Sequence, residues 1–153
     1  MSDHGAFFTL TDDPDQPGWR RWRVTDDSRF HATFGAIHVR NTSDRVARVR
    51  MVPERHHSNS KDSLHGGALL AFVDQALFVG ARALGMLDAE AAVTLDLSAQ
   101  FIGTTTIGRP IEAEVEVLRE TGRLLFLRGL VVQGDATLAS FTGTVRKPSV
   151  ARA

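Results

Sequence analysis

Asp74 sits in the middle of a long apolar run, Leu69-Leu70-Ala71-Phe72-Val73-Asp74-Gln75-Ala76-Leu77-Phe78-Val79. An ionised carboxylate withdrawn from water without a partner is costly, so this one must be paired, protonated or turned toward a wet pocket. Facing a pocket, it would be a functional group. Bonded to neighbouring backbone, it would only specify packing, and the residues alone leave both readings open. Upstream lies His65-Gly66-Gly67. Two glycines at the start of a helix let a substrate approach backbone amides at the positive end of the helix dipole, which is the chemistry of an oxyanion hole. A glycine pair that merely turns a loop into a helix is the commoner meaning of that dipeptide.

Spacing decides how these groups could cooperate. Eight residues of helix separate Gly66 from Asp74 by about 12 Å, whereas both would need to lie about 3 Å from one reacting group. One chain cannot supply both to the same site. Cooperation requires Asp74 of one subunit to face Gly66 of a second, as a two-fold pairing of the helices would allow.

The elements that must hold these residues follow from hydrophobic periodicity. From 68 to 81 only Asp74 and Gln75 are polar, so the segment reads as a helix buried nearly all round, opened by Gly66-Gly67 and ended by Gly85. Before it, 30–40 and 45–52 read as a strand pair around Asn41-Thr42-Ser43-Asp44, Pro53 closes the pair, and 54–63 reads as loop. After it come strands at 92–102, 111–119, 124–133 and 137–147, with turns at Thr121-Gly122 and Gly134-Asp135. Period two is clear at 92–102, where Val93, Leu95, Leu97, Ala99 and Phe101 alternate with polar residues, and at 111–119 Glu112, Glu114 and Glu116 should face water. Two strands, one apolar helix and four strands, without βαβ alternation, make an α+β pattern: an antiparallel sheet of about five to six strands curled around one central helix. The turn-rich segment with Asp12-Asp13-Pro14-Asp15 and Pro17-Gly18 predicts a loose arm or an irregular lead-in over 1–29, followed by one domain over 30–148 and a short tail over 149–153. Trp19 and Trp22, flanked by Arg20, Arg21 and Arg23, could face a ligand; anchoring the arm to the sheet is the commoner use of such a pair.

Composition excludes several classes. Basic and acidic residues balance at 18 each, which gives no bias toward a nucleic acid backbone. Nine arginines fall between 20 and 55, a local positive face or simply a solvated strand edge. With no cysteine there is no disulfide framework and no sulfur-ligated metal site. His56, His57, His65 and Asp62 lack regular ligand spacing, so no metal is expected. No leader is evident and no apolar segment reads as long enough to cross a bilayer, which predicts a cytoplasmic protein without a membrane partner.

Asn59, His65-Gly66-Gly67 six to eight positions later, and Asp74 nine after the histidine together resemble the PaaI-like (phenylacetic-acid-degradation-type) branch of the hot-dog-fold thioesterases. The similarity runs from about 34 to 145. The resemblance implies a hot-dog fold, hydrolysis of acyl-CoA thioesters with neither metal nor organic cofactor, and a homodimer or dimer of dimers. It implies Asp74 as general base, or as a nucleophile forming a transient anhydride. Asn59 and His65 of the neighbouring subunit would position water and thioester, the Gly66 amide would polarise the carbonyl, Gly67 would border the substrate, and Thr94 would help hold the nucleophilic water. A short insertion near 85–92 interrupts the match ahead of Thr94. Two other readings stand beside this one: a hot-dog dehydratase or hydratase, and an acyl-CoA-binding domain without turnover.

Overall fold

The apolar run forms one helix, α1, spanning Gly66–Ala83 in the computed structural model, which describes residues 7–88 and 92–149. Its side chains Phe72, Val73, Ala76, Leu77 and Val79 are fully buried. Removing that much apolar surface from water is what holds the helix in place. The C-terminus closes as a Schellman motif: Met86 N–H donates to the Ala81 carbonyl, Gly85 N–H to Arg82, and Gly85 takes a positive φ of 74°. At 18 residues with mean hydropathy 1.2, α1 is long and apolar enough to cross a membrane, contrary to the sequence expectation. Here it is wrapped instead by the sheet, with 56% of it buried.

That sheet is wholly antiparallel and has eight strands, in the order β1-β2-β3-β4-β6-β7-β8-β5. The strands are β1 (Phe8–Asp12), β2 (Arg20–Val24), β3 (Ile37–Asn41), β4 (Val46–Met51), β5 (Val93–Phe101), β6 (Ile111–Glu120), β7 (Leu124–Gln133) and β8 (Ala136–Arg146). Helix α1 packs on β3, β4 and β6 and meets β5 and β8 more lightly. A sheet curled around a single helix is the hot-dog arrangement.

Alternation works as expected on β6: Ile111, Ala113, Val115 and Val117 are buried toward the helix. The outward glutamates, however, do not simply face water. Arg48 of β4 bonds Glu112 and Glu114 at 2.9 Å each, Arg50 bonds Glu112 at 2.7 Å, and Arg128 of β7 bonds Glu116 at 2.7 Å. The arginine-rich stretch is thus spent partly on a cross-strand charge ladder.

Three further sequence expectations are corrected. The sheet exceeds five to six strands because residues of the lead-in, expected as a loose arm, form the β1–β2 hairpin, which joins β3 through the register Trp22↔Ile37. Asp13 organises the connection: its carboxylate accepts from Asp15 N–H at 2.9 Å and from Arg21 at 3.2 Å, and meets His38 Nε2 at 2.7 Å. Trp19 and Trp22 are both buried, with the Arg50 guanidinium 3.9 Å over the Trp19 ring. Second, 30–40 is not one strand. Phe30–Phe34 is a 3-10 turn stopped by Gly35 at φ 67°, and only Ile37–Asn41 is extended. The buried Phe34 ring holds that turn down, a constraint that period-two reading does not see. Third, the loop after β4 carries a 3-10 turn, Arg55–His57, closed by a capping box between Glu54 and His57. The expected insertion includes 89–91 and the expected arm and tail include 1–6 and 150–153, all of which lie outside the described residues.

Candidate active site

Asp74 is half-buried on α1, between the fully buried Val73 and the buried Gln75. Its Oδ1 accepts a hydrogen bond of 2.6 Å from the Thr94 hydroxyl. Thr94 lies at the start of β5, beside a break in register with β8 between Thr94 and Asp96. The pairing fixes the carboxylate's rotamer and leaves Oδ2 for other work. The structure therefore brings Thr94 directly onto Asp74, whatever water it also touches.

The other sequence-identified residues gather at the far end of the helix. His65 is the N-cap of α1, and its Nδ1 accepts from the Gly67 amide at 2.9 Å. With Nδ1 accepting, Nε2 carries the ring proton of the neutral histidine and is left as a donor. The Gly67 amide is thereby taken, whereas the Gly66 and Ala68 amides make no hydrogen bond to a described residue, so Gly66 is the first of two donors left at the positive end of the helix. A Cβ on Gly67 would come 3.1 Å from His65 Nδ1; one on Gly66 would make ordinary contact, 3.6 Å from the Phe101 ring.

Asn59 is half-buried in the preceding loop. Its Oδ1 accepts from Lys61 N–H at 2.8 Å and Ser63 N–H at 3.2 Å, the work of a turn-forming asparagine. Its side-chain NH2 makes no hydrogen bond to a described residue. His57, buried nearby, accepts from Glu54 N–H through Nδ1 and donates through Nε2 to the Thr33 carbonyl at 2.6 Å, so it is held as a strut. A cavity of about 430 Å³ lies over this end, walled by Phe30, Phe34, His57, His65, Gly67 and Ala71.

Trp22, which the sequence offered as ligand-facing, and several residues it did not single out surround the aspartate's end. Another cavity, of about 370 Å³, is lined by Phe7, Trp22, His31, Gln75, Phe78, Arg82 and Ala92. Phe78 and Arg82 follow Asp74 at four-residue steps on one stripe of α1, a signal the helical period does carry. Burial holds His31 below its ordinary value of 6.5, against the opposing pull of the Asp74 charge, so the ring is neutral at pH 7. A hollow of about 520 Å³ between Glu114, Arg128 and Ser140 includes none of these residues.

Asp74 and Gly66 are thus two stations on one helix, separated by about two turns. A single long helix enclosed by an antiparallel sheet defines the chain as a hot-dog protein. Residues 62–140 match the family model of the thioesterase superfamily, and the chain belongs to that family. It is a thioester hydrolase, PaaI-like within the hot-dog group. A mutant of the phenylacetic acid degradation protein PaaI from Thermus thermophilus is similar at 26% identity over 78% of this chain and 98% of that one, with a TM-score of 0.64. The Escherichia coli PaaI protein shares the fold at 22% identity and TM-score 0.67, over 82% of this chain and 86% of that one. A hypothetical thioesterase protein with coenzyme A from Streptococcus pneumoniae shares it at 18% identity and TM-score 0.64, over 74% and 89%. No curated protein matches the chain.

Proposed function

We propose that this chain hydrolyses an acyl-CoA thioester to a free acid and CoA at a site shared between two subunits, with Asp74 as general base. The observation that carries the reading is the split of the site's groups: a carboxylate oriented by Thr94 at one station, and an uncommitted Gly66 amide about two helical turns away. The CoA present with the S. pneumoniae relative supports CoA as the carrier of the acyl group.

Edge strand β5 supports the two-fold. Among the described residues its outer edge has no partner strand, and Leu95, Phe101 and Ile102 beside it are 54–55% exposed. Unpaired ladder groups with exposed apolar side chains are a template for a second copy. Thr94, at one end of β5, touches Asp74; Phe101, at the other end, lies against Gly66. Antiparallel pairing of β5 with its own copy would carry the Asp74 end of one protomer toward the Gly66 end of the other. A dimer, or a dimer of such dimers, satisfies the chemistry.

In the proposed step, Asp74 Oδ2 takes a proton from water as the water oxygen attacks the thioester carbonyl carbon. The oxyanion that forms accepts a hydrogen bond from the Gly66 amide of the partner subunit, where the helix dipole favours negative charge. The tetrahedral carbon then collapses, the C–S bond breaks, and the CoA sulfur recovers the proton held by Asp74. Water and thioester are consumed; acid and thiol are released. The NH2 of Asn59 and the Nε2–H of His65 of the partner subunit orient the thioester. Thioesters are already activated toward attack, so orientation, a base and a polarised carbonyl suffice.

The test is thiol release across a broad acyl-CoA panel by wild type and Asp74→Asn. Turnover should fall at least about 100-fold in the variant, the usual worth of a positioned base. Retained turnover in a properly assembled variant would refute the assignment. Binding with no release of thiol by the wild type would favour a non-catalytic acyl-CoA-binding domain.

A further inference from the structure

The loop that supplies Asn59 and His65 is braced more heavily than a surface turn requires. Its two legs are tied together: Asn59 N–H donates to the Ser63 carbonyl at 2.7 Å, His65 N–H donates to the His57 carbonyl at 2.8 Å, and Ser58 bridges to Leu64. At its tip Asp62 takes a φ of 54°, the one positive φ at a non-glycine among the described residues. Left-handed backbone is uncommon for a residue with a side chain, and it persists where surrounding bonds over-determine it. Those bonds converge on Asn59 Oδ1, which accepts from the Lys61 and Ser63 amides. Both partners are donors, so the oxygen must face them and the NH2 must face out of the turn.

Further bonds tie this turn to the segment that joins β5 to β6. Ser63 Oγ accepts from Thr105 N–H and donates to the Thr105 carbonyl, each at 3.1 Å. The next residue is gripped by Gln133 at the end of β7: Oε1 accepts from Thr106 N–H at 2.8 Å, and Nε2 donates to the carbonyls of Thr106 at 2.9 Å and Arg109 at 3.0 Å. Thr105 and Gln133 are both buried. Gly108 N–H, donating to the Pro53 carbonyl at 2.8 Å, fixes the same segment to the end of β4. Hydrogen bonds thus run from Gln133 through Thr106 and Thr105 to Ser63, and from Ser63 to Asn59.

The anchor point explains the effort. Thr105 lies four residues beyond Phe101, the last residue of β5, the strand whose open edge is the proposed subunit joint. A donor that serves the other subunit's substrate must be placed relative to that joint, because a misplacement of about 1 Å can cost about 100-fold in rate. We propose that Ser63, backed by Gln133, is a positioning residue for the hydrolysis. It registers the Asn59 turn to β5, so that the Asn59 NH2 meets a thioester held at the partner's Asp74. This rests on the shared-site hydrolase reading, with Ser63 acting through Asn59 rather than on the thioester itself.

The test is a double-mutant cycle of Ser63→Ala and Asn59→Asp, read by thiol release from hexanoyl-, isobutyryl- and benzoyl-CoA. Ser63→Ala should lower kcat roughly tenfold with KM moved by less than about threefold, and with the dimer intact on light scattering. Ser63→Thr keeps the hydroxyl and should restore most of the rate. In the Ser63→Ala background, Asn59→Asp should cost less than about threefold, against about tenfold or more in wild type, because the donor it removes is already misplaced. Ser63→Cys, nearly isosteric and a poorer hydrogen-bonding group, serves if Ser63→Ala does not assemble. The same cycle is read in Kd for ketone analogues, in which CH2 replaces the thioester sulfur and cleavage cannot occur. Coupling between Ser63 and Asn59 in that affinity, without turnover by wild type, would count against hydrolysis alone and leave the positioning role standing. Losses that simply multiply in both readouts, or a Ser63→Ala protein that matches wild type in both, would overturn it. An Asn59→Asp change without effect in either would overturn it together with the part assigned to Asn59.

Discussion

Each residue that closes the candidate site has one polar atom committed to the fold and another left over. Thr94 occupies Asp74 Oδ1, Gly67 N–H occupies His65 Nδ1, and the Lys61 and Ser63 amides occupy Asn59 Oδ1. That division allows structural and chemical roles to be separated by substitution. Asn59→Asp retains the oxygen that ties the loop and removes the NH2. It should preserve thermal stability to within about 0.5 kcal/mol while lowering kcat at least about tenfold, as thermal melts and thiol-release kinetics can measure. Gly66→Ala places a methyl in ordinary contact with Phe101, so the protein should fold and assemble, yet turnover should drop as the amide is crowded. Full activity in that variant would argue against the Gly66 donor. The aspartate and the glycines were legible in sequence because a charge in an apolar run and a Gly-Gly before a helix are local anomalies. Trp22 was offered by the sequence as ligand-facing, but His31, on the same cavity wall, was not legible, since its position depends on a 3-10 turn and a hairpin set by distant contacts.

Among the elements, the helix and the last four strands were readable because each carries its period within itself, whereas the lead-in hairpin was not. Strands β1 and β2 are five residues each, and β2 reads Arg-Arg-Trp-Arg-Val, a charged segment that becomes a strand only through partners far along the chain. Asp13 supplies one such tie, with His38 twenty-five residues away. Its carboxyl is held below the ordinary value of 3.8, chiefly by the Asp15 amide and, against the cost of burial, by His38 and Arg21. A depressed carboxyl pKa contributes stability that is complete above 3.8 and is lost as pH falls through the lower folded value. The hairpin should therefore loosen on acidification below the usual carboxylate range. Both tryptophans, Trp19 and Trp22, report on this unit, so a fluorescence shift there should vanish in Asp13→Asn. A second element-scale prediction concerns β7, where a Cβ on Gly129 would come 1.9 Å from the Glu114 carbonyl oxygen and 2.4 Å from the Phe141 ring. Gly129→Ala should cost about 1–3 kcal/mol or more in denaturant unfolding. Gly122→Ala, in open space, should change stability by no more than about 0.5 kcal/mol.

On the scale of the whole molecule, the balanced charge and the unfinished sheet edge shape how the chain works. Arginines of the 20–55 stretch are answered across the strands by Glu112 and Glu114, so part of what read as a positive face is a neutralised ladder. Burial costs Glu112 some of its acidity, but Arg50 and Arg48 outweigh it and hold the carboxyl below 4.5. Among the described residues no strand covers the outer edge of β5, which joins the Thr94 end of the site to the Phe101 end. Oligomerisation was legible in the sequence as a distance argument alone; which edge would serve was not, because exposure of Leu95 and Phe101 follows from strand order rather than from their alternation.

The most direct test of the shared site is subunit complementation. Asp74→Asn and Asn59→Ala proteins, each inactive alone, are co-refolded or co-expressed in equal amounts so that their subunits assort at random, and thiol release is then measured. Every mixed dimer contains one site with neither substitution, so the mixture should recover about a quarter of wild-type activity. A mixture shown to contain mixed dimers, yet as inactive as its components, would mean that each chain carries its own complete site and would contradict the account.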